Sequence, residues 1–288
     1  EAHGEVAYGI VEGDSVHQIS AAPWDDYKRS DHSHPLDHVK ILAPSVPYIV
    51  FFMGGNYYDH LGDAGAPEIP QVYTKTPNSI CGPGDTIVLP KEAEDVQEEA
   101  ELVAIIGKPC RRVSEADALD YVFGYTCGVD VSARMPAVPG GGGQRVPNTL
   151  PISPSKSFNT FAPLGPWIVT RDEVPDPQDL QIRLRVDGEL RGDFNTSDMA
   201  HSIAESIEYV SSIESVNPGA ILYTGTNHQG LGAMQDGDTI EIEIDKVGRF
   251  SFQVSDPLKR RWNKGVDQET AQDIREGAGG PGRRQRPL

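Results

Sequence analysis

The sequence predicts a mainly β fold with a few helices, of the α+β class. Three observations carry that expectation: glycine and proline are abundant, long helical periodicities are scarce, and several short segments alternate apolar with polar residues. Thirty glycines and 23 prolines in 288 residues supply turn signals at close intervals. A chain of this length buries a large core, as one big domain or as a large domain with a small partner.

The elements follow in order. Val6 to Ser20 predicts a hairpin turning at Glu12-Gly13-Asp14, so residues 1–45 are expected to form a small N-terminal β subdomain. Pro47 to Met53 reads as a buried strand opening the main domain, 46–256. Leu102-Val-Ala-Ile-Ile106 is an apolar run stopped by Gly107-Lys-Pro. Ser114 followed by Asp117 resembles a capping box, with a short helix through about Asp120. Ile182 to Val186 alternates into Asp187-Gly188, a strong short hairpin signal. Ser202 to Ile213 carries Ile203, Ile207 and Val210 at helical spacing and stops at Asn217-Pro218-Gly219. Thr239 to Asp245 alternates isoleucine with acids, turns at Gly248 and returns through Phe250, Phe252 and Val254. From Pro257 the composition shifts to Gly, Arg, Gln and Pro, which predicts a flexible, solvated C-terminal tail over 257–288.

A formal net charge of −18 argues against nucleic acid and anionic membrane surfaces as partners. No apolar run approaches the ~20 residues of a membrane span. The opening residues lack a basic segment followed by an apolar one, so no secretory leader is expected. Cys81, Cys110 and Cys127 are odd in number without zinc spacing, which predicts reduced, buried thiols in a cytoplasmic protein.

Glu99-Ala-Glu101 opens the Leu102 run, and Asp130 follows in Gly-Val-Asp-Val-Ser-Ala-Arg. Residues two apart on a strand point to one face. Two acids heading an apolar run are costly to bury unless a cation meets them. Mg²⁺ takes one or two carboxylates together with water and substrate oxygens. With 43 acidic residues in the chain, such a pair is common, and its meaning depends on its surroundings.

Those surroundings resemble the fumarylacetoacetate hydrolase family, in order from about Tyr48 to Val254. The matching segments are Gly54-Gly-Asn-Tyr-Tyr-Asp-His60, Glu99-Ala-Glu101-Leu, Tyr121-Val-Phe-Gly-Tyr-Thr126 leading to Asp130-Val-Ser-Ala-Arg134, Lys156-Ser-Phe158, Pro163-Leu-Gly-Pro-Trp-Ile-Val169 and Thr224-Gly-Thr226. The strands ending the match carry Gly-Asp and Glu-Ile. The resemblance implies a mixed β-roll catalytic domain, a homodimer, and Mg²⁺ or Mn²⁺ (with Ca²⁺ a further candidate) held by Glu99, Glu101 and Asp130. It also implies small-molecule dicarbonyl or 2-oxo acid substrates, as in the catabolism of aromatic compounds.

His60 and Asp63 stand at i, i+3, where helical side chains are neighbours, so the acid is expected to orient an imidazole that activates water. The family has Glu where Asp63 stands. The alternative is an exposed histidine beside a capping acid. Lys156 matches the family lysine that meets a developing oxyanion or carboxylate; the bland reading is a surface lysine beside a strand. Arg134 suits bidentate carboxylate binding, or equally pairs with a ligand acid. Lys75, in Val72-Tyr-Thr-Lys, matches a further family lysine, and Gly225 with Thr226 would close the pocket opposite.

Departures fall where substrate is read. Met135-Pro136 follows Arg134, and Pro139 to Gln144 holds a glycine run expected to form a mobile loop at the mouth. Asn159 replaces the usual Asp, and Thr226 is followed by Asn227-His228-Gln229, with one extra residue, instead of Pro. The expected function is a metal-dependent C–C hydrolase for a 1,3-diketone or 2,4-dioxo acid, with an atypical, bulkier or less carboxylated substrate. The alternatives are a 2-oxo acid decarboxylase or enol–keto isomerase on the same metal, and a noncatalytic binding module.

Overall fold

The computed structural model describes residues 4–135, 138–139, 145–146 and 152–276. The strands, in chain order, are β1 (Tyr8–Glu12), β2 (Ser15–Ile19), β3 (Arg29–Pro35), β4 (Val50–Met53), β5 (Val72–Lys75), β6 (Ile80–Cys81) and β7 (Thr86–Val88). They continue with β8 (Asp95–Gln97), β9 (Ala100–Ile106), β10 (Val122–Val129), β11 (Ser132–Arg134), β12 (Val138–Pro139), β13 (Arg145–Val146) and β14 (Ala162–Thr170). The last are β15 (Gln181–Val186), β16 (Glu189–Asn195), β17 (Ile221–Tyr223), β18 (Thr239–Ile244) and β19 (Gly248–Ser255). The helices are α1 (Tyr58–Leu61), α2 (Glu115–Ala118), α3 (Ile152–Ser155), α4 (Ile203–Ile213) and α5 (Gln268–Arg275).

β1, β2 and β3 form a three-stranded antiparallel sheet with its first turn at Gly13-Asp14. The main body is built on two larger sheets, ordered β5-β4-β17-β9-β10-β14-β6 and β16-β15-β18-β19-β7. The second sheet shows why its sequence alternates. Ile182, Leu184 and Val186 face inward beside Ile240, Ile242 and Ile244, while Arg183 and Arg185 meet Glu241, Glu243 and Asp245 on the outer face. Asp187 (φ 51°) and Gly188 (φ 81°) take the two left-handed positions of the hairpin.

β9 is buried along its whole length, and its two faces do different work. Ala100, Leu102, Ala104 and Ile106 join the core shared with the second sheet. Val103 and Ile105 point the other way, onto Val50, Phe52, Leu164, Ile221 and Tyr223. Gly128, opposite Glu101 across the β9–β10 ladder, lets this smaller core close, because a Cβ there would lie 2.5 Å from atoms of Tyr223 and Val103.

Two expectations need correction. Ser114 does not cap the α2 backbone; its hydroxyl donates to the Asp117 carboxylate at 2.7 Å. The reciprocal capping box lies at Ser202 and Glu205, opening α4. The predicted solvated tail is packed as far as Glu276. Trp262 is 2% exposed, Arg260 pairs with Asp256 and donates to the Ala93 and Pro90 carbonyls, and α5 buries Ala271 and Ile274. Residues 277–288, and most of the Pro139–Gln144 loop expected at the mouth, lie outside the described residues. Trp262→Ala is therefore expected to lower stability by about 3–5 kcal/mol, the range for a buried tryptophan. Equilibrium denaturation measures it; a change below about 0.5 kcal/mol, as at an exposed site, would restore the tail reading.

Candidate metal centre

Glu99 immediately precedes β9, Glu101 lies inside it, and Asp130 follows β10, its N–H donating to the Glu99 carbonyl at 2.8 Å. The ladder thus sets the three acids side by side, with one carboxylate oxygen of each within 4.8 Å of the others. All are buried. The site occupies the end of the smaller core, with Phe52 and Tyr223 beside it.

Two buried lysines partly offset the charge. Lys156, just beyond α3, donates to Glu99 Oε2 at 2.6 Å and Asp130 Oδ2 at 2.7 Å. Lys75, at the end of β5, donates to Asp130 Oδ1 at 2.6 Å and to the Phe161 carbonyl at 2.8 Å. Arg134 Nη2 lies 3.4 Å from Glu99 Oε1 and also donates to Gln97 Oε1 at 2.9 Å. Burial alone would raise the Glu99 carboxyl, but Lys156, His228 and Arg134 hold it well below the usual range. Glu101 is pushed well above that range by burial and by Asp130.

Glu101 receives one backbone hydrogen bond. Gly225 N–H donates to its Oε2 at 2.5 Å, whereas Oε1 is buried with no hydrogen-bond partner among the described residues. A buried carboxylate oxygen without a donor is costly. Three converging carboxylate oxygens, one of them unpartnered, fit a hard divalent cation. Gly225 is held at φ 94°, with Asn56 so close that a Cβ would lie 3.0 Å from it. The Asn56 side chain ties this corner together, donating to the Thr224 and His201 carbonyls and accepting from His201 N–H.

The anticipated substrate residues land differently. Lys75 is fully buried and bonded to Asp130, one of the three clustered acids. Arg134 takes its alternative role beside Glu99. Thr226 is buried, next in the chain to Gly225. His60 is buried at the end of α1, but Gly62 (φ 52°) stops that helix, and Asp63 sits exposed in the following 3₁₀ turn. The continuous helical face that would align Asp63 with His60 is therefore absent. His60 instead stacks on His228, ring centroids 3.7 Å apart and planes 23° from parallel. His228 Nε2 lies 3.6 Å from Glu99 Oε1. The sequence marked His228 only as an insertion; its neighbours Asn227 and Gln229 carry no periodicity that would aim a side chain.

Comparison with known proteins agrees with this architecture. Residues 49–255 match the family model described as fumarylacetoacetate (FAA) hydrolase C-terminal, and residues 1–44 match one described as Rv2993c-like, N-terminal. Protein Rv2993c of Mycobacterium tuberculosis is 36% identical over 255 residues, spanning 85% of this chain and 92% of that protein. The X-ray structure of 5-carboxymethyl-2-hydroxymuconate delta-isomerase from Mycobacterium smegmatis superposes with a TM-score of 0.77 at 35% identity, covering 88% of this chain and 97% of that one. Maleylpyruvate hydrolase from Sphingobium sp. SYK-6 gives 0.70 at 31% identity, covering 86% and 96%. Among the described residues no helix is long and apolar enough to cross a membrane, and the three cysteines are buried free thiols. From its matched segments, its two-sheet body and its buried acidic triad, the chain belongs to the fumarylacetoacetate hydrolase family.

Proposed function

We propose that this protein is a divalent-metal-dependent hydrolase cleaving a C–C bond in a 1,3-diketone or 2,4-dioxo acid from the breakdown of aromatic or related compounds. It acts as a cytoplasmic homodimer. The observation that carries this reading is the unpartnered, buried Glu101 Oε1 within the cluster of Glu99 and Asp130. Mg²⁺ or Mn²⁺ held by these three residues would supply an electron sink for adjacent carbonyl, enol or carboxylate oxygens.

The chain's own groups do the rest. His60 accepts a proton from water through an imidazole nitrogen, and the oxygen adds to the carbonyl carbon. After C–C cleavage the enolate carbon takes a proton back. The Lys156 ammonium has three donors, two of which are used by Glu99 and Asp130, which leaves the third for the developing oxyanion. Burial of the site keeps bulk water from competing with that bond.

A second reading, enol–keto isomerisation, is favoured by the likeness to the M. smegmatis delta-isomerase. It uses the same base to move a proton without adding water. Mass analysis of products from a dicarbonyl and enol-diacid panel separates the two readings, since hydrolysis adds one water and isomerisation none. His60→Ala is expected to lower kcat by roughly 10²–10⁴, the usual contribution of a general base. Its calorimetric affinity for Mg²⁺ should stay unchanged. Wild-type turnover in that variant would remove His60 from the mechanism.

A further inference from the structure

The reaction outlined above gives no task to His228, yet this side chain lies between two groups on which it depends. One face of its ring covers His60 at 3.7 Å, and its Nε2 edge stands 3.6 Å from Glu99. The residue is 7% exposed, and Nδ1 has no hydrogen-bond partner among the described residues. A histidine buried for structural reasons normally bonds its ring nitrogens to the scaffold. Here one nitrogen faces a metal-site carboxylate and the other has no partner, so the described ring contacts are with functional groups. The backbone is also held at φ 62°, a left-handed conformation that costs a non-glycine residue about 1–2 kcal/mol and is retained where surrounding structure enforces it.

The direction of influence follows from how each histidine is mounted. The segment carrying His228 is fixed at both ends. Thr224 Oγ1 donates to the Leu102 carbonyl at 2.9 Å, and Met234 N–H donates to the Val96 carbonyl at 2.8 Å. Between them, Gly230 packs against the Arg191 backbone so tightly that no Cβ fits. His60 belongs to a four-residue helix ended by Gly62. The ring on this doubly fixed segment therefore presents a set plane to the His60 imidazole.

We infer that His228 is a positioning residue, whose ring face holds the His60 imidazole in register with the Glu99 carboxylate and so with the metal site. This rests on His60 being the base of the proposed reaction. Nearly parallel rings at van der Waals distance confine the His60 imidazole to one plane. A base displaced by an ångström loses about 10²-fold in rate.

The test is a double-mutant cycle with the full chain and Mg²⁺, on whichever substrate the panel identifies. His228→Ala is expected to lower kcat about 10- to 100-fold with KM little changed, the loss expected for misplacement of a catalytic group. In the His60→Ala background it should cost nothing further. His228→Phe, which keeps a flat ring and lacks both nitrogens, should recover most of the loss. His228→Asn, polar but ringless, should behave like the alanine variant and replaces it in the cycle should that variant not fold. Two further readouts do not depend on turnover. The His60 ring-proton resonance should shift in His228→Ala and return towards its original position in His228→Phe, and calorimetric Mg²⁺ affinity should stay level throughout. Additive losses in the cycle, or equal losses for Phe and Ala, overturn the inference while leaving the base assignment standing. Full activity of His60→Ala alone removes the base assignment and the inference with it.

Discussion

Glu101→Ala abolishes Mg²⁺ or Mn²⁺ binding and turnover together, yet leaves the metal-free protein at least as stable as the parent. The two halves of this expected result have opposite causes. In the absence of metal, Glu101 is buried near Asp130 and Glu99, with one oxygen bonded to Gly225 and the other unpartnered. Removing it relieves a costly burial at the loss of a single backbone hydrogen bond. With metal at one hundred times its Kd, the parent gains about 2.7 kcal/mol and the variant gains nothing. Thermal melts with and without metal check the prediction, and a metal-dependent rise in Tm in the variant would remove Glu101 from the ligand set.

The same carboxyl fixes the sign of the pH dependence. Its folded value lies well above the ordinary 4.5, through burial and then through Asp130. The folded state therefore holds a proton that the unfolded chain releases earlier. This contribution to stability is complete below pH 4.5 and is lost as pH rises towards the elevated folded value. Metal requires the deprotonated carboxylate, so metal affinity climbs across that same window and binding releases a proton. Calorimetry in buffers of different ionisation enthalpy reads the proton directly.

Lys75→Met is expected to destabilise the metal-free protein by up to about 3–5 kcal/mol, the penalty for breaking a buried ion pair, because Asp130 would keep Lys156 alone against the neighbouring acids. Lys75 Nζ is fully buried against Asp130 and the Phe161 carbonyl, and methionine fills similar volume without supplying either hydrogen bond. Added Mg²⁺ should restore part of the loss, because a cation at the triad neutralises the Asp130 left behind. Denaturant titration with and without Mg²⁺ measures both effects. A loss below 1 kcal/mol would argue against a structural role for the Lys75–Asp130 pair.

The parts of this molecule that were legible in the sequence are those written by period. Ile182 to Val186 and Thr239 to Ile244 alternate because one face is buried, and Glu99 and Glu101 share a face for the same reason. Asp63 does not share the His60 helix, because spacing alone assumes a continuing helix and Gly62 ends it. The burial of Lys75 was hidden because β5 is an edge strand four residues long, whose depth is set by Asp130 from elsewhere in the chain. α5 was missed because its apolar face amounts to Ala271 and Ile274 within a polar, arginine-rich stretch. His228 lies on irregular backbone, where no periodicity says which way a side chain points.

The parallel pairing of β4 with β17 has a kinetic consequence. Val50 to Phe52 register against Ile221 to Tyr223, and the next residues of those two segments supply Asn56 and Gly225 to the site. The centre is thus closed by stretches near opposite ends of the chain, a loop whose entropy must be surrendered before any contact rewards it. The three acids all lie in the first half of the polypeptide, but Lys156 and the Gly225 amide reach them from the second half, so the closed site is completed late in folding. A ribosome-bound nascent chain lacking β17 would present the acids without the amide of Gly225, and metal uptake would report that synthesis has passed that point.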